Sequence, residues 1–168
     1  MTIEAWIYPK SDGEGIGGQI YNVNGSMRFW QTGTQALQFR YPWSTGSLNA
    51  VTGNSALSLN TWQHIAVTYD GSSASNRPIF YVNGRSVAIG TDFSSNSGSI
   101  SPQTAVWVTG NDTSQSGTFD GYIDNVRVFD YVRSQKQIIE GMNAGHPAPG
   151  SPVGSAVAYW KLDEGYGT

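Results

Sequence analysis

An all-β fold of antiparallel strands, a sandwich or a barrel, is predicted by three observations. Apolar and polar residues alternate with period two over many short runs. Turn dipeptides and glycine-rich clusters punctuate those runs. The composition disfavours helices: 21 glycines sit among abundant Ser, Thr, Asn and Gln, and only 12% of the 168 residues are charged. The 12% aromatic content excludes a disordered chain. A chain of this length suits one domain and can bury a core without metal or disulfide support.

The elements follow in order. Thr2–Pro9 alternates Ile3, Ala5 and Ile7 with Glu4, Trp6 and Tyr8, and Pro9 ends the run. Residues 11–18 form a glycine-rich loop. Gln19–Val23 and Met27–Gln31 are strands joined by the hairpin signal Asn24-Gly25. Residues 36–41 place Leu37, Phe39 and Tyr41 on one face and Gln38 and Arg40 on the other. Residues 62–69 make the strongest strand, with Ile65, Val67 and Tyr69 on one side, and Asp70-Gly71 closes it. Ile79–Val82 turns at Asn83-Gly84 into residues 85–89, the clearest hairpin. Residues 104–109 and Gly121–Phe129 complete the set. One short helix is expected over residues 134–140: Ser134 and Gln137 form a capping-box pair, Ile138 and Ile139 give an apolar face, and Gly141 stops it. Residues 143–154 read as a Pro/Gly/Ala/Ser linker, and residues 156–162 as a further strand.

Composition also excludes functions. The net charge is −3 and the basic residues are scattered, so no stripe exists for nucleic acid. No apolar run approaches the ~20 residues of a membrane span, and Met1 opens directly into a strand-like run without a leader-like stretch. With no cysteine there is no disulfide or thiol chemistry. The Ser/Thr/Gly/Asn texture points to an exported protein, extracellular or at the cell surface.

Several blocks in the right order carry a family resemblance. Thr2-Ile3-Glu4-Ala5-Trp6-Ile7-Tyr8-Pro9, the run from Thr61 through Trp62-Gln63-His64-Ile65-Ala66-Val67-Thr68-Tyr69-Asp70-Gly71, and Phe80-Tyr81-Val82-Asn83-Gly84 are three of them. Phe119-Asp120-Gly121-Tyr122-Ile123-Asp124-Asn125-Val126-Arg127-Val128-Phe129 and the helix after Ser134 are two more. Together they resemble laminin-G-like domains of the concanavalin-A-like superfamily. The resemblance implies a two-sheet jelly roll over residues 1–142. It also implies that Ala158-Tyr159-Trp160-Lys161-Leu162-Asp163-Glu164-Gly165-Tyr166-Gly167-Thr168, found here at the end, corresponds to the family's first strand. Residues 155–168 are therefore expected to open a following repeat, or to complete this or a neighbouring sandwich by pairing with Gly121–Phe129. The chain would then be a window from a tandem array.

The superfamily includes glycosidases, whose two carboxyls must flank the bond ~5–9.5 Å apart. The four glutamates, Glu4, Glu14, Glu140 and Glu164, are scattered. Asp120 and Asp124, placed on one strand face, would lie ~13 Å apart. His64 reads as a packed, hydrogen-bonded core histidine and His146 lies in the linker, so neither a triad nor a zinc site is expected. The chain reads as a non-enzyme. Calcium is the expected metal, and the resemblance assigns it to Asp124 with Glu164 and Gly167. Carbohydrate recognition is expected at aromatic and polar loop residues: Trp43, the tryptophan placed exposed after Pro42, with Arg40 and Trp30, and separately Asn111 and Asp112. Trp6, Trp62, Trp107 and Trp160 are expected to pack in the sandwich. The expected partner is a glycan or cell-surface glycoprotein; the alternative is a structural repeat that binds neighbouring copies of itself.

Overall fold

The computed structural model describes residues 1–15, 17–23, 26–104, 106–144, 157–160 and 162. Its strands are β1 (Thr2–Pro9), β2 (Gln19–Val23), β3 (Met27–Gln31), β4 (Leu37–Thr45), β5 (Ser47–Thr52), β6 (Gln63–Thr68) and β7 (Ile79–Val82). They continue as β8 (Arg85–Val87), β9 (Ile89–Asp92), β10 (Ser97–Ile100), β11 (Trp107–Thr109), β12 (Gly121–Phe129) and, after helix α1 (Gln135–Asn143), β13 (Ala158–Trp160). One antiparallel sheet has the order β13-β12-β1-β6-β7-β8, and the other β11-β2-β3-β4-β5-β9 with β10 on β4. This is the expected two-sheet jelly roll.

Strand parity builds the core. Ile3, Ala5 and Ile7 of β1 and Ile65 and Val67 of β6 meet Tyr21, Phe29, Phe39 and Leu48 of the facing sheet, all essentially inaccessible. Asn83 and Gly84 both take positive φ, 49° and 74°, as the tight hairpin between β7 and β8 requires. Residues 85–89 do not stay in one strand. β8 ends at Val87, and β9 pairs with β5 in the other sheet, so the chain changes sheets at Ala88. Such corners let one chain line both layers.

The tryptophan assignments are corrected. Trp43 is the tryptophan that joins the core cluster: it is 5% exposed and its Nε1 donates to Tyr69 Oη at 3.0 Å. β4 runs through Pro42, so Leu37, Phe39, Tyr41 and Trp43 keep one parity. Pro42 is tolerated because Trp43 donates to the Gly46 carbonyl, which turns the Pro42 nitrogen away from β5, past the end of β3. Trp62, Trp107 and Trp160 are instead 45%, 40% and 37% exposed, and Trp6 points away from the core.

Helix α1 lies on the outer face of the first sheet, with Ile138 packed against Ala66 and Tyr81. Ser134 Oγ accepts from Gln137 N, and Gln137 Oε1 accepts from Ser134 N at 2.8 Å, completing the capping box. Gly141 does not stop the helix, which runs to Asn143 with Ala144 as its cap. A Cβ there would stand 2.9 Å from Arg133 Nη1 and 3.2 Å from Glu4 Oε1, so the glycine lets the helix lie on a buried ion pair. Arg133 Nη1 donates to Glu4 Oε1 at 2.6 Å, with Arg127 Nη1 at 3.6 Å, and all three are buried. His64 belongs under this helix rather than in the sandwich core. It is buried, but its Nδ1 has no hydrogen-bond partner among the described residues.

β13 pairs with β12 within the same chain, Val126 opposite Trp160, Arg127 opposite Tyr159 and Val128 opposite Ala158. Tyr159 Oη donates to Asn125 Oδ1 at 2.6 Å, and the Arg127 guanidinium lies 4.8 Å over the Tyr159 ring. Beside this short strand the sheets part into a groove of about 360 Å³, lined among others by Trp107, Ile123, Trp160 and Leu162.

Candidate functional site

The side chains of the seven-stranded sheet that point away from the core form two polar rows. Direct cross-strand pairing aligns Val108, Asn22, Arg28, Arg40 and Asn49 in one row. It aligns Gln19, Trp30, Gln38, Val51 and Thr91 in the next. Opposed side chains on one sheet face stand ~5 Å apart; Gln19 and Asn22 are buried and Trp30 nearly so, which leaves Arg28, Gln38, Arg40 and Asn49 as the partly accessible groups of this face.

Internal hydrogen bonds hold this surface in shape. Asn22 Nδ2 donates to Gln19 Oε1 at 3.2 Å, and Gln38 Nε2 to Asn49 Oδ1 at 2.7 Å. Gln19 Nε2 is buried with no acceptor among the described residues. Arg28 is held below the usual guanidinium range by burial and then by the neighbouring Arg40 charge, while Asp112 pulls it the other way. Two guanidiniums and one carboxylate therefore meet at this place.

The 111–118 loop closes one end of the face. Asn111 Oδ1 accepts from Asp112 N and Gly117 N, and its Nδ2 donates to Thr118 Oγ1. Asp112 accepts from the amides of Ser114 and Ser116 and from Ser116 Oγ. These bonds, the Ser116 amide foremost, hold the Asp112 carboxyl below its usual range. A Cβ on Gly117 would stand 2.9 Å from Gln19 Cγ and 3.5 Å from Asp112 Oδ2, so glycine allows the loop to rest on the sheet.

Arg40, Trp30, Asn111 and Asp112 thus come together, and Trp43, on the opposite side of the sheet, does not. Trp30 is 6% exposed and forms the floor between Gln19 and Gln38. Asn111 and Asp112 shape their own loop, while Arg40 Nε donates to Ser47 Oγ at a long 3.4 Å. Sequence reasoning missed Gln19, Asn22, Arg28 and Asn49. The available signal was parity: Gln38 and Arg40 already marked the polar face, and the same alternation in β2, β3 and β5 points to the others.

Three acidic side chains serve as ion-pair partners within the fold. Glu4 is locked under α1, Asp92 pairs with Arg77, and Glu140 faces Lys136 at 3.8 Å. Asp120 precedes β12, so it does not share a strand face with Asp124 as expected. Asp124 Oδ1 accepts the Asn125 amide at 2.7 Å. Among the described residues no group of three His, Cys, Asp or Glu side chains converges on a metal-sized site. Glu164, Gly167 and His146 lie outside the described residues. No helix among the described residues is long and apolar enough to cross a membrane.

The family model described as the concanavalin A-like lectin/glucanases superfamily matches residues 1–139. The chain belongs to this laminin-G-like family. Among solved structures, a candidate carbohydrate-binding protein from Bacteroides ovatus ATCC 8483 superposes with a TM-score of 0.68 at 23% identity, covering 98% of this chain. The chain spans only 45% of that protein. A heptameric SAP-like pentraxin from Limulus polyphemus gives a TM-score of 0.53 at 17% identity, covering 96% of this chain and 79% of the pentraxin. Domain 4 of AbnA, an extracellular arabinanase from Geobacillus stearothermophilus solved with arabinotriose, gives 0.50 at 16% identity, covering 83% of this chain and 65% of that one. At these identities the likeness is one of fold. No curated protein sequence matches the chain.

Proposed function

We propose that this chain is an extracellular, non-catalytic module that binds a carbohydrate or glycoprotein on the polar face of the seven-stranded sheet. The observation that carries the reading is the adjacency of Arg28 and Arg40 in a row of amides floored by Trp30. Hydroxyl groups need directional donors and acceptors, and amide side chains supply both. Two guanidiniums against the single Asp112 carboxylate favour a ligand that also carries an anionic group, since the fork geometry of arginine fits carboxylate and sulfate. A cleft of about 630 Å³, lined by Tyr21, Tyr41, Tyr69 and Phe129 together with Asp70 and Asp130, lacks the paired guanidiniums of this face.

The test is a glycan array containing uronate and sulfated oligosaccharides, followed by calorimetry on the best binder with wild type and Arg40→Ala. A lost charge-assisted bond is worth ~1.5–3 kcal/mol, so affinity should fall roughly 10- to 100-fold. Equal affinity for both proteins refutes the site. A calcium ion at Asp124, completed by Glu164 and Gly167, is proposed from the family resemblance. The second reading, a structural repeat assembled by strand complementation, is favoured by one observation. Among the described residues, β13 covers Val126–Val128 of the nine-residue β12, beside the groove holding Trp107 and Trp160.

A further inference from the structure

The arginine-bearing row does not end at Asn49. Beyond β9 the chain keeps its ladder with β5: Phe93 N donates to the Asn49 carbonyl at 2.8 Å and Ser95 N to the Ser47 carbonyl at 3.0 Å. Asp92 stands opposite Ala50, so the same register places Phe93 opposite Asn49, two residues after Thr91 and on the same face. The row therefore runs Arg28, Arg40, Asn49, Phe93 across neighbouring strands. Phe93 is 62% exposed, the most exposed aromatic side chain among the described residues.

A single exposed apolar side chain is common on protein surfaces. Two features set this one apart. Its backbone is fixed on both sides: Ser94 N donates to Asp92 Oδ1 at 2.9 Å, Ser94 Oγ accepts from Asn49 N at 3.0 Å, and Asp92 is tied to Arg77. A ring with no polar atom is thus held out on a braced edge rather than carried by a loose loop. Its neighbour in the row is also a directed polar group. Gln38 Nε2 engages the Asn49 acceptor at 2.7 Å, which leaves the Asn49 N–H donors without a partner among the described residues. Arg77 and Asp92 neutralise one another, so the first charge met along the row from Phe93 is that of Arg40.

We propose that Phe93 is the stacking subsite of this face and takes an uncharged pyranose, next in the chain to the anionic sugar held at Arg40. The inference rests on the carbohydrate reading of the face and adds the direction in which the ligand lies and the order of its sugars. The axial C–H bonds of a pyranose with equatorial hydroxyls make one apolar, slightly positive face, which suits the negative face of an aromatic ring. The hydroxyls then point sideways, toward the Asn49 donors. Neighbouring strands are ~4.8 Å apart, and Phe93 and Arg40 stand two strands apart. A pyranose unit is about as long as one strand spacing, so two linked sugars reach from Phe93 to Arg40 when the ligand lies across the strands.

The probe is hyaluronan tetrasaccharide, which alternates uncharged N-acetylglucosamine with glucuronate. It is titrated calorimetrically into wild type, Phe93→Leu, Phe93→Tyr, Arg40→Ala and Trp62→Leu, with circular dichroism confirming the fold of each. Phe93→Leu keeps the apolar bulk without the ring and should bind about tenfold more weakly. Phe93→Tyr should bind like wild type, and so should Trp62→Leu, an exposed position beside the other sheet. In ligand NMR spectra the N-acetylglucosamine ring protons should shift upfield on binding wild type and not on binding Phe93→Leu. Equal affinity of wild type and Phe93→Leu, with Arg40→Ala weakened, overturns the stacking subsite and leaves the arginine face standing. Weakening by Phe93→Leu with none by Arg40→Ala overturns the arginine reading and the sugar order proposed with it. Upfield shifts confined to glucuronate protons overturn that order as well. Absence of binding at millimolar concentration overturns both readings. A Phe93→Leu effect that is confined to oligomeric state by light scattering overturns the subsite, since the ring would then be a contact between copies.

Discussion

His64 makes the stability of this fold sensitive to mild acid. The imidazole lies beneath α1, edge-on to Trp6 at 5.5 Å between ring centroids. Burial, then the charges of Arg127 and Arg133, push its pKa down from 6.5 to about 3. The unfolded chain takes up a proton below pH 6.5, whereas the folded chain resists it until about pH 3. Stability attributable to this residue is therefore complete above pH 6.5 and declines as pH falls through that interval. Each pH unit is worth about 1.4 kcal/mol, so the loss at pH 5 relative to neutral pH is about 2 kcal/mol. The perturbation is His64→Gln, which removes the titration. Urea unfolding followed by tryptophan fluorescence at pH 7.5 and pH 5 should show wild type losing about 2 kcal/mol more than the variant between the two conditions. Carboxylates shared by both chains largely cancel in that difference. Because Glu4 belongs to the same buried cluster, a second readout isolates the imidazole: its proton resonances in wild type should not titrate down to pH 5. Parallel pH dependences for the two proteins, or an imidazole midpoint near 6.5, would refute the reasoning.

Three further outcomes are expected. Ser134→Ala removes the side-chain half of the capping box and should lower unfolding free energy by about 1 kcal/mol, read as a lower urea midpoint at unchanged slope. Calcium at Asp124, if bound, should raise the melting temperature of wild type; a chelator should reverse the rise, and Asp124→Ala should abolish it. Insensitivity of both proteins to calcium removes the site. Deleting residues 156–168 strips β13 from β12 and uncovers the backbone groups of Val126–Val128 together with Trp107. The truncated chain should melt earlier or aggregate, since an uncovered apolar edge recruits other strands; an unchanged melting temperature and solubility would count against a role for β13 in closing the sheet.

The sequence by itself determined the fold class and most strand positions, because period-two alternation is a local property imposed by the pleat. Ile3, Ala5 and Ile7, or Ile65 and Val67, declare their shared face without reference to the rest of the chain. The helix cap was equally legible, since Ser134 and Gln137 satisfy one another within one turn. Tertiary structure decided which face each tryptophan reached. A proline beside Trp43 looked like a turn until β5 and the end of β3 made room for it within a strand. It also decided that Gly141 sits inside a helix, because only the folded chain places Glu4 and Arg133 against it. The polar face is the sharpest case. Arg28, Arg40, Asn22 and Asn49 each carry an unremarkable polar position in their own strand, and only register aligns them. Register depends on pairings between distant segments, and no local pattern encodes it.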